Sequence, residues 1–251
     1  MTGRRLVADL GGTNVRFAVT DATHRLAHIQ AYKLDDHPSF LAALAAYLAT
    51  LPQPAAPPDA IAIGAAGPVI AGRVRLTNAT WDIDAGEVAR AARAGLALLV
   101  NDLEPVARAI PDLQASEIDV IRTGTAARGT VVDGALAVNV GTGFGAAPIH
   151  RITIAEREQW LTSATEAGHM LAPSIDGQPT PPPGATLEDT LSGAGVVRLA
   201  RALGMADGDA TGAEDIFRAA GRNPIATRVA ETFGARLGAA IRDLVLAHGA
   251  W

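Results

Sequence analysis

The strongest constraint on the fold is a pattern that occurs twice. At an offset of 130 residues, Ala8-Asp9-Leu10-Gly11-Gly12-Thr13 lies against Val138-Asn139-Val140-Gly141-Thr142-Gly143. Each copy is an apolar run with one polar residue, followed by a glycine turn with a threonine. A second apolar run follows each turn, Val15 to Thr20 in one case and Ala146 to Ile152 in the other, so each copy predicts a hairpin. A duplicated α/β chain with a cleft between its copies is the expectation. The 251 residues suffice for this, since a domain takes roughly 100–200.

The remaining elements fill in around the hairpins. A third strand is predicted over Ala27 to Leu34, and a helix over Phe40 to Leu51 stopped by the stretch Pro52 to Pro58. A buried strand follows over Asp59 to Ala65. Asp84 with Glu87 three residues on predicts a capping box, and Gly95 the C-cap of the helix it opens. Leu96 to Val100 then reads as a strand ending at Asn101-Asp102, and open α/β sheets hold their ligands at the carboxyl ends of strands. In the second half a strand is predicted over Ala135 to Val140, and helices over Leu187 to Leu203 and Ile225 to Ala247. Val229, Phe233, Leu237, Ile241 and Leu244 mark the last of these. The proline-rich stretch Ala172 to Ala185 reads as a loop beside a site rather than a linker, because candidate polar residues flank it on both sides.

Composition excludes several chemistries. The net charge of −5 and the lack of a basic cluster oppose nucleic-acid binding, which requires phosphate neutralisation. Lys33 is the only lysine, so no scheme with a phosphate-binding lysine in a glycine-rich loop applies. There is no cysteine, hence no disulfide, thiolate metal site or cysteine nucleophile. No signal-peptide core or membrane-spanning run is read, and a cytoplasmic protein is expected. Aromatics are only 4% of the chain, which predicts a core built mainly from Ala, Val, Leu and Ile.

Five groups of residues carry candidate chemistry. The turn Gly11-Gly12-Thr13-Asn14 after Asp9 offers free amides for an anion, a threonine hydroxyl for a phosphate oxygen and an acid for a hydrated magnesium ion; a plain hairpin turn is the alternative. Gly141-Thr142-Gly143-Phe144-Gly145 is a second such turn, and its glycines let backbone approach a ligand closely. Asp102 at a strand end suits a general base, and equally suits a cap for a helix with Pro105 in its first turn. Glu166 and His169 can pair with vicinal sugar hydroxyls, although no further His or Cys completes a metal set. Glu188 falls in the first turn of a helix, where an acid is favourable without any function.

Taken in order, these residues resemble the bacterial glucokinase family of the sugar kinase, Hsp70 and actin superfamily. Asp9 to Asn14 and Gly141 to Gly145 are similar to its two phosphate motifs. Thr77 to Trp81, Asn101-Asp102, Glu166 to His169 and Leu187 to Gly193 are similar to its sugar-site segments. The resemblance implies duplicated actin-like (ribonuclease H-like) ATPase domains: a small N-terminal α/β domain over 1–110 and a larger C-terminal one over 111–251. It implies ATP-dependent phosphorylation of glucose with Mg2+. Asp102 would be the base, with Asn101, Glu166, His169 and Glu188 on the sugar hydroxyls. Asp9, Gly11, Gly12, Thr13, Asn14, Gly141, Thr142 and Gly143 would hold the phosphates, and Asp9 the metal through water.

The family continues past a helix like Ile225 to Ala247 into a glycine-rich strand that holds adenosine, then into further helices, and this sequence ends at Trp251. The expectation is therefore a C-terminal domain without its final strand and helices, with impaired activity and an apolar face favouring a homodimer. A non-catalytic sugar-binding remnant and a kinase of another hexose are the alternative readings. The absence of cysteine and of a leading helix-turn-helix opposes a sugar-responsive repressor.

Overall fold

Strict alternation builds the first strand, β1 (Arg5–Leu10), in which Leu6, Ala8 and Leu10 are buried and Asp9 is exposed on the other side. The computed structural model describes residues 4–21, 23, 25–52, 56–76, 80–122, 133–209 and 212–249. Thr77, Asn78 and Ala79 of the expected sugar segment, His24 and part of the Pro52 to Pro58 stretch lie outside the described residues. Two compact units are present, Met1–Val106 and Ala107–Trp251.

In the first unit β1 pairs antiparallel with β2 (Asn14–Thr20), which pairs with β3 (Leu26–Lys33). Helix α1 (Phe40–Thr50) begins where Ser39 accepts a hydrogen bond from the Ala42 amide. It leads to β4 (Ala60–Ala65), parallel to β1. A short hairpin, β5 (Arg73–Arg75) and β6 (Asp82–Asp84), precedes α2 (Ala85–Ala92) and β7 (Leu96–Asn101), which lies parallel to β4. The sheet order is β3-β2-β1-β4-β7, and α3 (Leu103–Ala109) follows directly. Leu10, Ala65 and Asn101 fall side by side in the register. The β1–β2 turn and Asp102 therefore leave the sheet at the same edge, the carboxyl ends of its parallel strands.

Although aromatics are few, they are concentrated. Phe17 stacks on Tyr47 with ring centroids 5.2 Å apart and tilts against Phe40 at 5.5 Å, and Phe40 meets Trp81 edge-on. Such pairs add to the burial of apolar area that holds α1 on the sheet. Trp81, expected within a sugar segment, is thus a core residue. It is 3% exposed, and its indole donates to His37 O at 3.2 Å. Burial pushes the Tyr47 phenol up to about 12.

Two expected boundaries differ. The left-handed residue closing α2 is Arg93, with φ 53°, and not Gly95. Gly95 instead meets Asp59 O, where a Cβ would stand 3.3 Å away, so it is small to let β7 start against the chain entering β4. The helix expected over Leu187 to Leu203 is two, α4 (Leu187–Leu191) and α5 (Gly193–Ala202), with Ser192 ending one and capping the other.

The second unit opens with β8 (Gly134–Val140) and β9 (Phe144–Ile154), an antiparallel hairpin like β1–β2, extended by β10 (Arg157–Thr162) in the position of β3. Its turn holds three residues between paired Val140 and Phe144, against four between Leu10 and Val15. Among the described residues the second sheet has no counterpart of β4 and β7. Helices α6 (Ala213–Ala219) and α7 (Pro224–His248) complete the unit.

Two helix starts are pH-sensitive. Asp84 accepts from the Glu87 amide and pairs with Arg73, and Asp189 accepts from the Thr186 amide and hydroxyl beside Arg198. These bonds hold both carboxyls below the usual carboxylate range, the backbone amide being the larger cause in each. A depressed folded-state pKa gives stability that is present above the unfolded value, about 4, and is lost as pH falls through the folded value. The melting temperature should therefore drop from pH 5 to pH 2.5. A variant carrying Asp84→Asn and Asp189→Asn should melt lower at pH 7 and show a shallower drop. An equal slope in the two proteins would exclude these carboxyls as its source.

Candidate active site

The first unit assembles its candidate residues at one sheet edge. In the β1–β2 turn the Gly11 amide donates to Asn14 O at 2.9 Å, and the Asn14 side chain donates to Thr13 Oγ1 at 2.9 Å. The Gly11 amide thus serves the turn itself. Among the described residues, the amides of Gly12 and Thr13 have no intramolecular acceptor. Asp9 faces Arg16 across the hairpin in a 3.1 Å ion pair, both side chains well exposed.

Asn101 and Asp102 follow from the end of β7. The Asp102 amide donates to Ala65 O at 3.0 Å, tying it to the end of β4. Gly64 permits this approach, since a Cβ there would lie 3.3 Å from Pro105 and 3.6 Å from Asp102 Cα. Asn101 is held by three hydrogen bonds, with one side-chain N–H left over. Its Oδ1 accepts from the Leu103 amide at 3.0 Å, its Nδ2 donates to Gly67 O at 3.2 Å, and its own amide donates to Glu104 Oε1 at 3.1 Å. The start of α3 is therefore held by Asn101 and Glu104, two residues that bracket Asp102. Sequence reasoning passed over Glu104 here, although Asn101-x-x-Glu104 has the spacing of a capping box.

In the second unit the Gly141 amide donates to Gly143 O at 3.0 Å, so this turn also uses the amide of its first glycine, while those of Thr142 and Gly143 have no intramolecular acceptor among the described residues. Glu188 reaches the turn from α4, where its Oε2 accepts from the Phe144 amide at 3.2 Å. Its carboxylate fills the space a side chain at 143 would need, for a Cβ on Gly143 would stand 2.5 Å from Oε2. The glycine is thus required by the acid as much as by the turn. Gly193 N donates to Gly141 O at 2.8 Å and fixes the start of α5 on the same turn.

Glu166 and His169 flank a single 3-10 turn over Ala167–His169, with Nε2 and Oε2 3.8 Å apart and both side chains exposed. Gly168 between them is packed against the turn: a Cβ there would lie 2.5 Å from Phe144 O and 3.6 Å from Glu188 Oε2. The structure thus brings Glu166, His169, Glu188, Gly141 and Gly143 to one locality, and Asp9, Gly11, Gly12, Thr13, Asn14, Asn101 and Asp102 to one edge of the other unit. Among the described residues no group of three His, Cys, Asp or Glu is arranged to hold a metal ion. Asp9 alone fits a magnesium ion only through its water shell, as that ion is commonly held beside substrate phosphates.

Comparison with known proteins gives the family. Residues 6–180 match the sequence profile of the Glucokinase family. The chain belongs to the glucokinase family. A glucokinase of Ralstonia nicotianae is 36% identical over 176 residues, which cover 68% of this chain and 49% of that protein. One from Nitrobacter hamburgensis is 30% identical over 263 residues, covering 100% of this chain and 79% of the relative. The chain thus spans about half the length of the Ralstonia glucokinase it matches. The crystal structure of a glucokinase from an Antarctic psychrotroph superposes with a TM-score of 0.76 at 30% identity, covering 100% of this chain and 81% of that one. The fold of this glucokinase-family chain is the duplicated α/β, actin-like ATPase type. No helix among the described residues is long and apolar enough to cross a membrane.

Proposed function

We propose that this chain transfers the γ-phosphoryl group of ATP to the 6-hydroxyl of glucose, giving glucose 6-phosphate and ADP in the cytoplasm. The observation that carries the reading is the position of Asp102. It stands at the carboxyl ends of the parallel strands that also launch the Gly11–Asn14 turn, in a chain of the glucokinase family.

In this reading Asp102 accepts the proton of the 6-hydroxyl as that oxygen bonds to the γ-phosphorus and the bond to the bridging oxygen of ADP breaks. Phosphoryl transfer depends mainly on positioning and charge neutralisation. The amides of Gly12, Thr13, Thr142 and Gly143 serve the phosphates. Gly11, Asn14 and Gly141 act through the shape of the two turns. Asp9 would hold a magnesium ion through its water shell, and that ion would supply neutralisation of phosphate charge. Asn101, Glu166, His169 and Glu188 read the sugar hydroxyls, with Asn101 also fixing the backbone on both sides of Asp102.

The test is ADP release by the purified chain with magnesium and ATP, with and without glucose, beside Asp102→Asn. Glucose-dependent release that disappears in the variant supports the reading. Calorimetric glucose binding without any release would replace it with a sugar-binding role, and a preference for another hexose would move the substrate.

Glu188→Gln gives a separate prediction. Glutamine retains an oxygen for the Phe144 amide, so the turn is kept, but its bonds to hydroxyls are neutral rather than charge-assisted. Since the two kinds differ by roughly 1 kcal/mol, the glucose dissociation constant should rise about five- to tenfold with the melting temperature nearly unchanged. An unaltered constant by calorimetry would remove Glu188 from the sugar contacts.

A further inference from the structure

One face of α7 grips the proline-rich segment at three successive residues. Arg228 donates to Gly177 O, Thr232 Oγ1 donates to Gln178 Oε1 at 2.9 Å, and Arg236 Nη2 donates to Pro179 O at 2.6 Å. The four-residue spacing along the helix matches one step along the loop. The last rung is unusual, because Arg236 is 4% exposed and among the described residues has no ion-pair partner. Burial lowers its pKa, the sign of a cation held away from water without a counter-charge. Buried charges are normally paired.

Arg236 lines a cavity of about 470 Å3 within the second unit, in the size range of small-molecule sites. The rest of the wall is largely hydrocarbon, from Pro179, Pro182, Pro183, Leu199 and Leu203. Two other charged residues reach it. Arg198 is already held by Asp189, donating to its carbonyl at 2.6 Å with a carboxylate oxygen 3.7 Å away. Asp189 and Thr190 of the Leu187 to Gly193 segment line this space, but Asn101, Asp102, Glu166, His169, Glu188 and the two glycine turns do not.

We propose that this cavity binds a small monocarboxylate with an aliphatic body, its carboxylate on Arg236 and its hydrocarbon among the prolines and leucines. The charge count selects the class. One uncompensated guanidinium matches one negative charge and offers the forked donor geometry a carboxylate takes. A dianion would leave a second negative charge without a cation in this largely apolar space, which disfavours phosphate. The apolar lining disfavours a fully hydrated anion.

The test is titration calorimetry of the full chain with hexanoate, with the neutral hexanamide and with inorganic phosphate. Hexanoate should bind, and hexanamide and phosphate should bind at least about tenfold more weakly, the difference a charge-assisted bond makes. Arg236→Met should abolish hexanoate binding. Ala202→Trp, which adds bulk to the cavity lining from an exposed position at the end of α5 and leaves Arg236 in place, should abolish it as well and keeps the test decisive if Arg236→Met does not fold. No heat from hexanoate, equal binding of the amide, tighter binding of phosphate or undiminished binding by Ala202→Trp would each overturn the proposal.

Discussion

Replacement of Asp102 by asparagine is expected to lower kcat for glucose phosphorylation by about a hundred- to ten-thousand-fold, the usual contribution of a general base. The glucose dissociation constant should change little. The split between these readouts is the content of the prediction. Asparagine has nearly the shape of aspartate, and the backbone bond from residue 102 to Ala65 O does not involve the side chain. Asn101 and Glu104 keep their own bonds to the start of α3, which hold that start independently of the acid at 102. What asparagine cannot do is accept a proton from the attacking hydroxyl.

The competing role for Asp102 is local, as a cap of α3. Loss of a cap costs about 1 kcal/mol of stability and leaves chemistry alone. The structure gives the Leu103 amide to Asn101 Oδ1, at 3.0 Å. A kcat within tenfold of the parent together with a lowered melting temperature would nonetheless return Asp102 to the capping role. Substantial residual turnover over the solution reaction is expected even when the base is lost, because positioning and phosphate neutralisation remain.

How much of this was legible in the sequence depends on whether the deciding contact is local. Both hairpins were readable, since a glycine turn between apolar runs is a short-range signal. The strand β10 was not. Its turn places Ala155 and Glu156 in left-handed conformation with φ 48° and 63°, where a reader looks for Asn or Gly. The break at Ser192 was hidden in the same way, because apolar spacing continues through Leu187 to Leu203. At the break Ser192 is extended and caps α5 by accepting from the Gly195 amide, and Gly195 is small because a Cβ there would lie 2.6 Å from Asp189 O.

The candidate site divides along the same line. Its residue types and order were visible, but their partners were not. Glu188 reads as a helix-dipole acid until the chain brings Phe144, 44 residues away, to its carboxylate. The α7 ladder of Arg228, Thr232 and Arg236 lies on a helix whose apolar period drew the reading to Val229 and Phe233. Only tertiary structure shows that its polar residues hold the loop at 177–179.

Gly168→Ala is expected to damage both stability and glucose binding. The added methyl would stand 2.5 Å from Phe144 O, a main-chain atom in β9 that cannot rotate away, and 3.6 Å from Glu188 Cβ. Overpacking of this kind costs about 1–3 kcal/mol, or a melting temperature lower by several degrees in a chain of this size. Relief requires the 3-10 turn to lift off the strand, and that turn carries Glu166 and His169 at its two ends. The glucose dissociation constant should therefore rise by about tenfold or more, since displacement by even an ångström breaks hydrogen-bond geometry. Gly208→Ala is the control, because nothing lies within 4 Å of a Cβ there; it should shift stability by no more than about 0.5 kcal/mol and leave binding unchanged. If Gly168→Ala melts lower but binds glucose as the parent does, Glu166 and His169 are not the residues that hold the sugar. The role of Glu166 and His169 would then fall while that of Asp102 stood.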